Sequence, residues 1–328
     1  MLAYILRRAI FAVITIWAIS LISFFIIQLP PGDYVSAYIA ELQAGGTQVT
    51  QETISHLRNE YGLDQPFLVQ YGKWMRRIVH GDLGVSLQYK RPVVEMIGSR
   101  LALTMVVSIF ALLLTWGLAL PIGIYSAVKH YSMGDYLFTL IGFIGLAVPN
   151  FLLALIIMYF AFKFFGADIG GLFSAQYQDA PWSWARIGNL LTHIPVPAVV
   201  LGLAGTAQAI RILRANLLDE LRKPYVVTAR AKGLTEMRAI LKYPVRVALN
   251  PFASTIGYTL PYIVSGSIIV SIVLSLPTVG PLLLSALQAQ DMFLAGAIIL
   301  LLGTLTVIGT FLSDMLLLWI DPRIRLVH

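Results

Sequence analysis

Six long apolar stretches dominate this chain, at roughly 9–29, 101–127, 137–165, 194–213, 252–276 and 293–319, with charge and polarity returning between them. About 20 apolar residues in helical form cross the hydrocarbon of a bilayer, because a helix satisfies its backbone polar groups internally. The pattern therefore predicts an all-α membrane protein with six transmembrane helices. Arg7 and Arg8 before the first stretch look like the head of a secretory signal. That stretch is too long for a signal's apolar region and ends in Leu29-Pro30-Pro31-Gly32-Asp33, without a small-residue cleavage site, so it reads as a retained span.

The segment 30–100 carries element signals of its own. Thr50 suits the N-cap of a helix through Gln51–Tyr61, and Pro66 suits the opening of another running to about His80. Gly81-Asp82-Leu83-Gly84 suits a turn, followed by a short helix from Pro92. The segment reads as a lid packed on the spans or as a docking or gating surface for something outside. Pro121, Pro149, Pro195, Pro197 and Pro261 fall within the apolar stretches and are expected to interrupt their helices. The chain thus divides into 1–29, the N-terminus and first span; 30–100, a partly helical extracytoplasmic segment; and 101–328, a five-helix core with a polar loop over 214–250.

Composition agrees with this class: 58% of residues are hydrophobic and 12% charged, against about 25% charged in soluble domains. Charge sets the orientation, since Lys and Arg near span ends mark the cytoplasmic side. Arg7 and Arg8 precede span one, Lys129 lies between spans two and three, and Arg323 and Arg325 follow span six. Between Gln208 and Asn250 stand nine basic residues against three acids, so this loop holds +6 of the net +7. Both termini and this loop are expected in the cytoplasm, with the segment 30–100 on the other side of the membrane. Stacking aromatics are nearly absent from the basic loop, which argues against a nucleic-acid partner. The chain has no cysteine, which excludes disulfides and thiolate metal sites.

Catalytic chemistry is missing from the sequence. The single Gly-Lys pair, Gly72-Lys73, runs into Trp74 and is no phosphate loop. The five histidines are scattered, with no His-Glu-x-x-His and no Gly-x-Ser-x-Gly, so neither a metal nor a catalytic centre is expected. Asp314, within span six, is expected to pair with a nearby cation or backbone group rather than carry protons. Asn150, Gln208, Tyr258, Ser265, Ser267 and Ser271 are polar positions in apolar spans and are the candidates for lining a passage, with helix–helix hydrogen bonding as the alternative. The chain reads as a pathway without its own engine.

The basic loop is where force from a partner can enter. Tyr225–Lys232 favours a short helix after Pro224, Gly233 suits a left-handed cap, and Thr235 starts a second helix that is interrupted around Pro244. Tyr225, Ala229 and Gly233 share one helical face, which a partner groove can approach closely. A purely topogenic loop explains the charge but not the small residues or the helix–Gly–helix punctuation.

Thr228-Ala229-Arg230-Ala231-Lys232-Gly233-Leu234 resembles the coupling segment of permease subunits of ABC importers, in the dipeptide/oligopeptide/nickel family. The resemblance continues in Tyr4-Ile5-Leu6-Arg7-Arg8, Pro31-Gly32-Asp33, Gly81-Asp82-Leu83-Gly84-x-Ser86, Pro149-x-Phe151 and Ile320-Asp321-Pro322-Arg323-Ile324-Arg325. It implies the type I importer permease fold and makes Tyr225, Thr228, Ala229, Arg230, Ala231, Lys232, Gly233 and Leu234 the ATPase-coupling residues. Val227-Thr228-Ala229 stands where the wider family has Glu-Ala-Ala, Tyr243-Pro244 where the branch has His-Ala, and Ser271 where a Glu is common. The implied partners are a second related permease, two ATPase subunits that bind ATP and Mg, an extracytoplasmic solute-binding protein and membrane lipid; no cofactor is expected in the chain itself. Peptides are the default solute, with oligosaccharides, opines and nickel complexes as alternatives. From the residues alone, an ATP-independent transporter or a membrane scaffold remain the rival classes.

Overall fold

The structure is a computed structural model that describes residues 2–28, 50, 52, 55–56, 65–86, 88–167, 169–254, 267–289 and 291–320. Among these residues regular structure is helical, apart from one isolated bridge between Val85 and Pro92. The longer helices are α1 (Leu2–Gln28), α2 (Phe67–Val79), α3 (Val93–Val128), α4 (Met133–Ala147) and α5 (Asn150–Phe165). They continue with α6 (Trp184–His193), α7 (Pro195–Leu221), α8 (Pro224–Ala231), α9 (Glu236–Lys242) and α10 (Pro244–Ser254), then α11 (Val279–Gln288) and α12 (Met292–Ile320). Residues 267–273 are also helical. Among the described residues, four helices are each long and apolar enough to cross a membrane, or five spans are present if α4 and α5 together make one broken span. The fifth predicted span, 252–276, lies largely outside the described residues, as does the helix expected over 51–61.

Three expectations are corrected. The stretch at 137–165 is not one straight span: α4 and α5 meet at 107°. Pro149 is the reason, since the residue before a proline is pushed out of the helical region, and Val148 is extended at ψ 122°. Pro121, in contrast, sits inside α3 without ending it, and Pro195 and Pro197 fall in the first turn of α7, where few backbone bonds are at stake. Nor is there a separate short helix from Pro92, because α3 runs unbroken for 36 residues from Val93 through the whole second span.

The chain packs as two compact units, one of Met1–Ala9, Leu103–Pro281 and Ile308–His328, the other of Ile10–Ala102 and Leu282–Val307. In the first, one apolar cluster joins α3 to the 270–276 region through Val107, Ala111, Val270 and Leu274. A second cluster joins the lower half of α3 to α7, α9 and α10 through Ala119, Leu213, Leu217, Ile240 and Val245. Asp314 meets its expected cation here, with Arg8 Nη1 at 3.1 Å. In the other unit α2 packs its amphipathic face on α1: Phe24 lies 5.2 Å from Phe67 and 5.3 Å from Trp74, ring centre to centre. Ser20 Oγ donates to the Trp17 carbonyl within α1 at 2.7 Å and shares a second 2.7 Å hydrogen bond with Tyr71 Oη, which ties α1 to α2. Gly303 lets α12 approach the Ile19 side chain on α1.

Candidate functional site

The helix α7 runs two turns beyond the predicted span and stops at Arg222, and Lys223 is drawn into extended backbone by the proline that follows. Pro224 then opens α8 at the position where a missing N–H costs nothing. The helix ends as the sequence suggests. Gly233 takes φ +82°, its N–H donates to the Arg230 carbonyl at 2.9 Å, and the Leu234 N–H reaches back to the Ala229 carbonyl at 3.4 Å. This is a Schellman closure, and glycine is favoured there because a Cβ is strained at positive φ. α9 follows, breaks at Tyr243, and α10 leaves from Pro244.

Two side-chain contacts brace the turn. Arg230 grips Glu236 with both arms, Nε to Oε2 at 2.9 Å and Nη2 to Oε1 at 2.5 Å, which ties α8 to α9 across Gly233. The Tyr225 hydroxyl donates to Glu220 Oε2, tying α8 back to α7. Desolvation, then the neighbouring Glu220 carboxylate, push the Tyr225 hydroxyl well above its ordinary range, so it stays protonated at all physiological pH. What this group adds to folding is constant below about pH 10 and is lost only as pH rises beyond that. Replacing Tyr225 with Phe should therefore weaken the α7–α8 brace equally between pH 6 and pH 9, checked by urea titration of the purified protein at both values. A strong pH dependence across that window would contradict the assignment.

The segment has two contrasting faces. Val226, Ala229, Ala239 and Ile240 are buried, and Ile240 belongs to the cluster with α3 and α7. Val227, Met237 and Leu241 are at least half exposed, next to Tyr225, Thr228, Ala231, Lys232 and Gly233, which are also exposed. The single face expected of Tyr225, Ala229 and Gly233 is thus divided: Ala229 is 5% exposed and turns inward, while Tyr225 and Gly233 are exposed. Arg230 is already engaged within the chain, and Leu234 is half-buried.

The passage candidates separate as well. Asn150 opens α5 at the α4–α5 bend and is half-buried, while Gln208 is exposed on α7. Ser267 and Ser271 are buried within their unit, and Ser271 Oγ has no hydrogen-bond partner. Tyr258 and Ser265 lie outside the described residues.

Two polar constellations escaped the sequence reading. Asp135, buried on α4, receives Arg214 of α7 in a two-pronged pair, Nε to Oδ1 at 2.9 Å and Nη2 to Oδ2 at 2.8 Å. The only local hint was Ser132 three residues ahead, whose hydroxyl caps the helix at the Asp135 N–H. In the other unit Asp291 is fully buried at the head of α12. It accepts from the Ser86 hydroxyl, from the Gln88 N–H at 3.2 Å and, as a cap, from the Leu294 N–H at 3.2 Å. Gly84, at φ +87°, brings this loop against Phe293. The Gly81–Gly84 turn is further held by Arg77, whose Nε reaches Asp82 at 2.8 Å.

Comparison with known proteins shows the family of the chain. Residues 119–326 match the family described as the binding-protein-dependent transport system inner membrane component, and residues 1–108 match the N-terminal part of such membrane components. The oligopeptide transport system permease protein AppB of Bacillus subtilis is 33% identical over 99% of this chain and 100% of its own length. The dipeptide transport system permease protein DppB of Escherichia coli is 30% identical over 99% of both chains. With its sequence matched over nearly its whole length and several helices long and apolar enough to cross a membrane, the chain belongs to the family of binding-protein-dependent transport system inner membrane components and is a multi-pass permease of the ABC importer type.

Proposed function

We propose that this chain is one of two permeases in an ATP-driven peptide importer, and that α8–Gly233–α9 is the seat of an ATPase subunit on the cytoplasmic side. The observation that carries the reading is the two-faced coupling segment. Its inner face is packed into the core of α3 and α7, while its outer face presents Val227, Met237 and Leu241 beside basic side chains. Apolar groups clustered on a polar loop support a protein partner, and a seat rooted in transmembrane helices transmits what the partner does. ATP and Mg are bound by that partner, whose closure supplies the free energy difference between two states of the passage. An extracytoplasmic binding protein delivers the solute. The names of relatives matched over nearly their whole length support peptides over oligosaccharides, opines or nickel complexes.

The test is reconstitution. Proteoliposomes holding this chain, its companion permease, two ATPase subunits and the binding protein should accumulate radiolabelled trialanine when ATP is supplied, and should lose accumulation when any one component is left out. Uphill uptake by this chain alone, or ATP-driven uptake of an oligosaccharide with none of di- and tripeptides, would overturn the reading.

A further inference from the structure

Along α4 and α7 three contacts succeed one another in opposite chain directions: Asp135 to Arg214, Gly142 to Ala207, and Gly145 to Leu203. The last two are smooth. A Cβ added at Gly142 would lie 3.6 Å from Ala207, and one added at Gly145 only 2.8 Å from Leu203, so the helices approach closely and Leu203 fills the notch at Gly145 with no directional bond. Apolar packing of that kind holds two helices together but specifies no single partner atom for another, since dispersion has little orientation. The Asp135–Arg214 pair differs. It is two-pronged, the Asp135 side chain is 2% exposed, and the carboxylate also accepts the Tyr131 N–H at 3.0 Å. Tyr131 itself stands at φ +63°, a conformation unfavourable for an aromatic residue that the surrounding bonds hold in place. Gly134 allows the Tyr125 ring to close over the same corner, where an added Cβ would collide with it at 2.5 Å. Arg214 lies two turns above the end of α7, directly before the coupling segment.

From this we infer that Asp135–Arg214 is the positioning pair that locks the register of α4 on α7, so that displacement of the coupling segment is passed to α4 and to the α4–α5 bend instead of being lost as slip between the helices. Buried ion pairs are weak as net stabilisers but strong as register devices, because any slide leaves both charges unpaired. The inference rests on the coupling role proposed for α8–α9, and the experiment separates the two.

The natural absence of cysteine makes the test clean. A reporter, Ala147→Cys, is placed on the exposed last residue of α4, and its rate of reaction with a maleimide is measured in the reconstituted complex with and without ATP and vanadate. In the otherwise natural chain the nucleotide should change that rate severalfold. Asp135→Asn and Arg214→Gln should each abolish the change while the ATPase subunits still co-purify. Asp135→Cys with Arg214→Cys should behave like the single variants until a short bis-methanethiosulfonate joins the two positions, applied before the reporter site is labelled and followed by unmasking of a reversibly protected Ala147→Cys. The joined form should regain the nucleotide response and lose it again on reduction. A response that survives in Asp135→Asn and Arg214→Gln, or that fails to return in the joined form, overturns the pair's role and leaves the coupling reading intact. A natural chain that binds no ATPase overturns that reading, and this inference with it.

Discussion

Gly233→Trp should cut ATP-driven uptake by at least about 100-fold while leaving the chain inserted and folded. The backbone at Gly233 sits at φ +82°, where a side chain costs about 1–2 kcal/mol. Among the described residues, its chain neighbours aside, no atom lies within 4 Å of a Cβ built there, so a side chain leaves the backbone without a clash. The fold therefore bears only the conformational strain, and the bulk is offered to whatever docks on the segment. Gly233→Asn separates the two effects, because asparagine accepts the left-handed conformation and is small. It should retain most uptake. Uptake and ATPase co-purification are the measurements, with detergent-extracted yield as the check on folding. A tryptophan variant that transports at the natural rate would sink the docking role of this turn.

Asp291→Ala should release the loop at residues 81–91 and destabilise its unit. Removing the carboxylate strands the Ser86 hydroxyl and the Leu294 N–H in a buried site and takes the acceptor from the half-buried bond of the Gln88 N–H. Each stranded donor costs about 1–3 kcal/mol, and taking one member from a buried polar network typically totals about 3–5 kcal/mol. The loop keeps other ties, among them the Tyr89–Ser285 hydroxyl bond at 2.9 Å, the Ser285 hydroxyl to Gln88 Oε1 bond at 3.2 Å, and the Ser86 N–H to Arg91 carbonyl and Lys90 N–H to Ser86 carbonyl bonds at 3.0 Å, so it opens locally instead of detaching. If local opening governs cleavage, trypsin should cut after Lys90 on the order of 100-fold faster than in the natural chain. Asp291→Asn, which keeps one acceptor oxygen, should fall between. Cleavage of Asp291→Ala at the natural rate would show that the clasp does not carry the loop.

Much of the architecture was legible in residue order because it is written in neighbours. The long apolar stretches, the opening of α2 after Pro66, the turn with Gly81 and Gly84 at positive φ, and the Gly233 closure each depend on a few adjacent residues. The α4–α5 break was half legible. Pro149 marked an interruption, but whether a proline bends a helix, sits quietly inside it like Pro121, or starts one like Pro195 depends on what surrounds it. The site shows the same division. The helix–Gly–helix form of residues 224–242 could be named in advance, yet which of its side chains face outward could not, and Ala229 proved to face inward.

Residue order by itself determined that this chain is a bundle of membrane helices with a basic helix–Gly–helix loop, since hydrocarbon thickness, backbone hydrogen bonding and capping act locally along the chain. The tertiary structure alone decided which faces meet. In a membrane both the lipid-facing and the interior faces of a helix are apolar, so hydrophobic periodicity carries little information about contact. Asp135 and Arg214 stand 79 residues apart and Ser86 and Asp291 stand 205 apart, and only packing could bring these charges and hydroxyls to one another.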